Sequence, residues 1–324
     1  RGPMKVYEYA YGRPRASYLV LPGLHFLGPD DPRLDRFCRV LAQAGFFVVA
    51  PVIPAYAALT VEPSALSDAR LAYAHAVRAA ELRGLGTPAL FSVSFGSTLA
   101  FELLADAELE PRPRGAMIFG GFAELGPTVR FAATGRAEHE GEIHVLPSDP
   151  LNLPVVALHL LPYRSLPGDR GELERALRQM VYRSWGRMDL KRAGARDPIA
   201  DHIAASLPAE LRPSFYAACG LGEESEAWFE SGLAESIDRL GFFDPGERLA
   251  RVEAPVTLVH GRDDDVIPYL ESLKLERALT RSRRPRLHLT GMYGHTGSSR
   301  PPLSSIARET AVLTRMLHDL ARLP

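Results

Sequence analysis

The sequence predicts an α/β protein in which helices flank a mostly parallel central sheet. Short runs rich in Val, Leu, Ile and Phe carry this prediction, because strands buried on both faces of a parallel sheet are apolar along their whole length. Each run is followed by a glycine or proline turn and then by a helical pattern. The runs are 17–21, 46–51, 89–93, 116–120, 256–260 and 287–290.

The segments between the first runs have helical signals. Asp31 can cap a helix that opens with Pro32, and the apolar residues that follow share one face of that helix. A second helix is expected over about 66–82. After the run 89–93, two residues precede Gly96, and apolar side chains then recur at helical spacing. This pattern predicts a strand, a sharp turn and a helix.

The alternation stops after Gly121 and resumes near Glu253, which leaves about 130 residues where connections usually have only a few. We therefore expect a mainly helical insertion over 122–249 within a core formed by 4–121 and 250–324. Residues 1–3 are interpreted as an expression scar before a start at Met4.

Composition excludes several classes of protein. The 324 residues have 38 basic and 39 acidic side chains, which argues against a generally cationic nucleic-acid binder. Cys38 and Cys219 form no CxxC pair, so no disulfide framework or zinc knuckle is expected. The uncharged stretch 40–61 contains one glycine and two prolines, which argues against a membrane span. The predicted location is cytoplasmic, and the preference for arginine over lysine suggests a bacterial source.

A candidate nucleophile lies in the sharp turn after the run 89–93. In the string Ser92-Val-Ser94-Phe-Gly96, a tight turn with small flanking residues would leave the Ser94 hydroxyl exposed at a helix N-terminus. Two further signals follow downstream. Asp264 comes after the run 256–260, and His295 comes after the run 287–290.

The order Ser, Asp, His, with each residue after a successive strand, resembles the catalytic triad of the α/β-hydrolase superfamily of serine hydrolases. The chain is similar to esterase- and lipase-like members that have a large helical cap between the sixth and seventh strands of the family's core. The family spacing Gly-x-x-Asp-x-x-x-Pro, from Gly261 to Pro268, selects Asp264 rather than Asp263 or Asp265. Glu124, after the sixth strand of the family's core, remains an alternative acid.

The resemblance also implies an oxyanion hole made of backbone N–H groups. One donor would be Phe95, beside the nucleophile, and the other would be Leu24, after the first matched strand. This chain departs from the family pattern in two places. Ser92 stands where the family usually has glycine, and Pro22-Gly23 stands where it often has His-Gly. His25 is interpreted as a loop residue, and His260 as a packed residue rather than the base.

The expected function is hydrolysis of a carboxylic ester, of apolar character, through an acyl-serine intermediate. No metal or organic cofactor, no nucleic acid and no membrane span are expected, and the oligomeric state stays open. Alternatives are a thioesterase or an acyltransferase on the same triad, or a binding protein on a hydrolase scaffold. The insertion is expected to cover the site, with Trp185 or Phe215 as candidate walls of an acyl pocket. The alternative is a separate domain packed away from the site, for self-association.

Overall fold

The computed structural model describes residues 4–283, 285–292 and 306–324. The chain divides into two compact units. The first contains Arg1–Glu124, Phe243–Asp264 and Glu271–Pro324, and the second contains Leu125–Phe242 together with Asp265–Leu270. We call these the core unit and the inserted unit, and each is described by itself.

The strands of the described chain follow one another as β1 (Val6–Tyr9), β2 (Ala16–Leu21), β3 (Phe46–Pro51), β4 (Ala89–Val93), β5 (Ala116–Phe119), β6 (Arg136–His139), β7 (Glu142–Val145), β8 (Val256–Gly261) and β9 (Arg286–Thr290). The α-helices are α1 (Pro32–Gln43), α2 (Pro54–Ala57), α3 (Ser64–Glu81), α4 (Gly96–Ala105), α5 (Leu125–Thr134), α6 (Leu153–Leu160), α7 (Arg170–Ser184), α8 (Asp197–Ala204), α9 (Arg212–Ala218), α10 (Ser225–Leu240), α11 (Leu270–Ala278) and α12 (Ile306–Arg322).

The core unit is organised around a sheet in which seven strands are described, in the order β1-β3-β2-β4-β5-β8-β9. Every neighbouring pair is parallel except β1 and β3. Parallel strands need crossover connections, and helices such as α1, α3 and α4 supply them. The carboxyl ends of β4 and β8 therefore lie at the same edge of the sheet. The prediction of a mostly parallel sheet flanked by helices is confirmed.

Burial explains why the central strands are apolar along their whole length. All six residues of β3 and of β8 are buried, as are the last five residues of β2. The sheet packs against α1 through Cys38 and Leu41, which belong to one cluster with Tyr18, Val48 and other strand residues. Helix α1 begins as predicted. The Asp31 side chain accepts a hydrogen bond from the Arg33 N–H, and proline occupies the first turn.

The inserted unit is mainly helical. It contains α5 to α10 and a two-stranded antiparallel hairpin formed by β6 and β7. Its buried aromatic side chains include Phe131, Phe215, Trp228 and Phe229. The segment Asp265–Leu270 also belongs to this unit, although it lies between two parts of the core unit in the sequence. Among the described helices, none combines the length and the apolar character that a membrane crossing requires.

A three-part polar cluster fixes that segment inside the inserted unit. The Lys191 ammonium forms an ion pair with Asp265 and lies 2.9 Å from the buried carboxylate of Asp149. The Asp149 N–H donates to the Asp265 carbonyl at 2.7 Å. Burial raises the pKa of the Asp149 carboxyl, although Lys191 opposes that rise. Asp265 is thus bonded through both its side chain and its backbone.

Candidate active site

Ser94 occupies the sharp turn between β4 and α4. Its φ of 52° lies in the left-handed region, which non-glycine residues adopt at a cost and which often marks functional positions. The Ser94 N–H donates to the Phe119 carbonyl at 2.8 Å, and the Ser94 carbonyl accepts from the Ser97 N–H at 2.9 Å. The residue retains 6% of its accessible surface. Its strained backbone is therefore held by the neighbouring strand and by the first turn of α4.

Two glycines allow the loop after β2 to approach this turn. A Cβ atom on Gly96 would lie 2.7 Å from the carbonyl oxygens of both Leu21 and Pro22. A Cβ atom on Gly23 would lie 3.3 Å from the Ser94 Cβ. Gly96 needs glycine because both opposing atoms are backbone carbonyl oxygens, whereas a Cβ atom on Gly23 would require its neighbours to shift by a few tenths of an ångström. The end of β2 is thus in close contact with the candidate nucleophile.

The two predicted oxyanion donors lie on these two segments. Phe95 adopts a helical conformation at the N-cap of α4, where backbone N–H groups and the helix dipole favour negative charge. Leu24 is buried, and its N–H has no hydrogen-bond partner among the described residues. Ser92 fills the position where glycine was expected. It is buried within β4, and its hydroxyl also lacks a partner in the described part of the chain.

His25 follows Leu24 in the loop after β2. Its ring stacks on Phe26 at 4.6 Å, and its Nε2 lies 3.5 Å from the Asp31 carboxylate. Burial lowers the pKa of this imidazole, and the nearby Asp31 carboxylate opposes the effect. A neutral ring at pH 7 follows from that shift.

Asp264 lies after β8 and is buried. Its Oδ2 is 3.4 Å from the Nε2 of His260, which is also fully buried at the end of the strand. The other ring nitrogen of His260 lies 2.6 Å from the Ser272 hydroxyl on α11. His260 is therefore packed between Asp264 and α11. Asp263, in contrast, is exposed.

Glu124, the alternative acid, has a different environment. Its side chain is 54% exposed, and it accepts a hydrogen bond from Lys274 at 3.0 Å. The buried Glu271 accepts from the backbone N–H groups of Ala123 and Glu124, at 3.0 and 3.1 Å. Glu271 and Lys274 together fix the chain just after β5. Sequence reasoning missed Glu271, because a lone glutamate on a helix carries no signal of a distant backbone partner.

His295 lies outside the described residues, but the end of the preceding strand is described. The buried Glu309 of α12 accepts hydrogen bonds from the Thr290 hydroxyl at 2.7 Å and from the Gly291 N–H at 3.1 Å. Sequence reasoning missed this carboxylate as well. Among the described residues, no group of three or more His, Cys, Asp or Glu side chains could hold a metal ion.

No protein-family model matches the chain, and no curated protein matches it in sequence. The acylaminoacyl peptidase of Pyrococcus horikoshii superposes with a TM-score of 0.50 at 11% identity, over 99% of this chain and 39% of that longer chain. BpoC, a candidate non-heme bromoperoxidase from Mycobacterium tuberculosis H37Rv, gives 0.47 at 15% identity, over 99% and 97% of the two chains.

A further match is MGS-M2, an α/β hydrolase enzyme from a Medee basin deep-sea metagenome library. It gives a TM-score of 0.45 at 11% identity, over 97% of this chain and 93% of that chain. At these identities the likeness concerns the fold. The superposition on the peptidase covers almost the whole of this chain, including its mostly parallel sheet. The chain therefore has the α/β-hydrolase fold.

Proposed function

We propose that the protein is a serine hydrolase that cleaves a carboxylic ester through an acyl-serine intermediate. The observation that carries this proposal is Ser94 itself, a serine with positive φ at the junction of a buried strand and a helix. A serine is a weak nucleophile unless a base and an oxyanion hole are arranged around it. The left-handed conformation is the feature that would present its hydroxyl to both.

The proposed reaction assigns one role to each residue. The Ser94 oxygen attacks the ester carbonyl while His295 accepts its proton, and Asp264 orients the imidazole and stabilises its charged form. The N–H groups of Phe95 and Leu24 stabilise the oxyanion. When the tetrahedral intermediate collapses, His295 returns the proton to the departing alcohol. A water then repeats the sequence on the acyl-serine, which releases the acid and restores Ser94.

The buried position of Asp264 supports its role over Glu124. A carboxylate fixes a histidine tautomer best where water does not compete for it. Asp264 is buried beside His260, whereas Glu124 is more than half exposed and already paired with Lys274. The acid at the end of β8 is therefore the better partner for His295.

The test is reaction with a serine-directed fluorophosphonate, followed by turnover of p-nitrophenyl esters of increasing chain length. We expect the wild type to be labelled once per chain and Ser94→Ala to lose both labelling and turnover, by about 10³-fold or more. Ser17→Ala is the matched control, because Ser17 is a buried serine at the start of β2 whose hydroxyl bonds the Gly86 carbonyl. It should keep wild-type labelling.

Substantial turnover by Ser94→Ala would remove the nucleophile assignment. An added alcohol or amine separates the alternative reactions of the same site. If acyl transfer to that acceptor exceeded hydrolysis, the enzyme would be an acyltransferase. If thioesters were turned over much faster than the matching esters, it would be a thioesterase.

A further inference from the structure

We propose that Tyr56, Phe122 and Phe243 are positioning residues that hold Phe95, and thereby set the direction of its N–H in the oxyanion hole. This inference rests on the proposed function and extends it to residues outside the triad. All four side chains belong to the core unit.

The Phe95 side chain lies in an aromatic cluster. Its ring centroid is 5.2 Å from that of Phe122 and 5.7 Å from that of Phe243. Phe122 and Phe243 are themselves 6.0 Å apart, and Tyr56 lies 6.3 Å from Phe243 at a steep interplanar angle of 73°. Ring pairs at such separations stabilise one another beyond the burial of their surface. Tyr56, Phe122 and Phe243 are almost completely buried.

The backbone of Phe95 is fixed by the same cluster. The Tyr56 hydroxyl donates a hydrogen bond to the Phe95 carbonyl at 3.0 Å. Burial raises the pKa of Tyr56 well above its usual range, so the hydroxyl stays protonated and remains a donor at all ordinary pH values. With its ring and its carbonyl both held, Phe95 has little freedom to rotate.

The direction of the adjacent N–H follows from that restraint. An oxyanion donor acts through geometry, because it must lie about 3 Å from the oxygen that becomes charged in the transition state. A small rotation of Phe95 would weaken that bond while leaving the binding of the uncharged ester nearly unchanged. The restraint should therefore affect kcat more than KM.

The chain positions of the three residues add a second consequence. Phe122 lies between the end of β5 and the start of the inserted unit, and Phe243 is the first residue after that unit's main segment. Both chain ends that flank the insertion therefore contact the ring of the residue beside the nucleophile. A displacement of either chain end would alter the position of Phe95, and so of its N–H, without any change in the triad.

The test compares Tyr56→Phe and Phe243→Leu with matched controls. Tyr73→Phe removes an equally buried hydroxyl that donates to the Pro111 carbonyl at 2.8 Å, and Phe101→Leu alters a fully buried phenylalanine of α4. Fluorophosphonate titration counts active sites in each preparation. We then measure kcat and KM for a p-nitrophenyl ester, and inhibition by a trifluoromethyl ketone, which forms a tetrahedral oxyanion on the serine.

We expect kcat per active site to fall about tenfold in Tyr56→Phe and in Phe243→Leu, with KM within about twofold of wild type. The inhibition constant of the ketone should rise by the same factor as kcat/KM falls, since both report the oxyanion. The controls should stay within about twofold of wild type in both measurements. A merely structural role would lower the number of titrated sites without this pattern.

Equal kcat values in Tyr56→Phe and Tyr73→Phe would overturn the inference while leaving the triad intact. An effect confined to KM would overturn it as well. If Phe243→Leu does not fold, Tyr56→Phe decides, because it keeps every ring in place. A wild type that neither reacts with fluorophosphonate nor hydrolyses esters would overturn the proposed function, and this inference with it.

Discussion

Gly96 is the position where one added methyl group should disturb both the fold and the site. In Gly96→Ala, the new Cβ would lie 2.7 Å from two carbonyl oxygens, those of Leu21 and Pro22, whereas ordinary contact begins at 3.4 Å. Neither oxygen can yield easily, because Leu21 is paired with Ser92 in the ladder between β2 and β4. The strand end must therefore move as a unit, by about 0.7 Å.

Two opposing effects set the change in the free energy of unfolding of Gly96→Ala. Overpacking in a well-packed interior costs about 1–3 kcal/mol, while alanine in a helix gains up to about 1 kcal/mol over glycine. The free energy of unfolding should therefore fall by about 1–2 kcal/mol. Pro22 leads directly to Gly23 and Leu24, so the same displacement would move the proposed second oxyanion donor. We expect kcat to fall about tenfold or more, since misplacement by 1 Å can cost about 100-fold.

Urea unfolding followed by far-UV circular dichroism measures the change in the free energy of unfolding, and p-nitrophenyl ester turnover measures the change in kcat. Tryptophan fluorescence would be a poor probe, because Trp185 and Trp228 both lie in the inserted unit. Gly86→Ala is the control. Its Cβ would meet only the end of the flexible Arg114 side chain, at 3.5 Å. The reasoning is refuted if Gly96→Ala matches Gly86→Ala in both stability and kcat.

Three further predictions concern the acid and the thiols. Asp264→Asn should lower ester turnover by about 10³-fold or more, because an amide supports the wrong histidine tautomer. Asp263 is exposed, so Asp263→Asn should have little effect. Equal losses in the two variants would contradict the assignment of Asp264 as the acid. Burial raises the pKa of Cys38 to about 12 and also raises that of Cys219. Ellman's reagent at pH 8 should therefore label neither thiol until the chain is unfolded, and rapid labelling of the folded protein would contradict this burial. Cys38 ionises readily only in the unfolded chain. The free energy of unfolding should therefore fall as the pH rises from 9.0 toward 12, because loss of the thiol proton then stabilises the unfolded chain.

The buried parallel strands could be predicted from the sequence because their signal is local. A strand such as β3 is apolar along its whole length, and a turn follows it directly. The hairpin of β6 and β7 was not predicted, since most of its residues are polar or exposed and no apolar run marks it. Strand β1 was missed for a related reason. It is a short antiparallel edge strand whose residues are only partly buried or exposed.

The same distinction applies to the site. Ser94 and Asp264 were predicted because each lies in a turn that is recognisable from the residues next to it in the sequence. Tyr56 and Glu309 carry no such mark, because their partners are a backbone carbonyl 39 positions away and a strand end 18 to 19 positions away. Contacts of this kind depend on how the helices pack onto the sheet. Local patterns do not encode that packing.

The division of the chain after Asp264 has a consequence for how this protein could exchange parts with others. The candidate acid belongs to the core unit, while the next residue, Asp265, is bonded to Lys191 and Asp149 in the inserted unit. A recombination that replaced 125–242 alone would leave Asp265 without Lys191 and without the Asp149 N–H. The inserted unit therefore cannot be exchanged as one continuous segment with all these contacts intact. A graft that kept these contacts would have to carry the six residues Asp265–Leu270 as a second piece, so the exchange involves two separate segments and four junctions rather than one segment and two junctions.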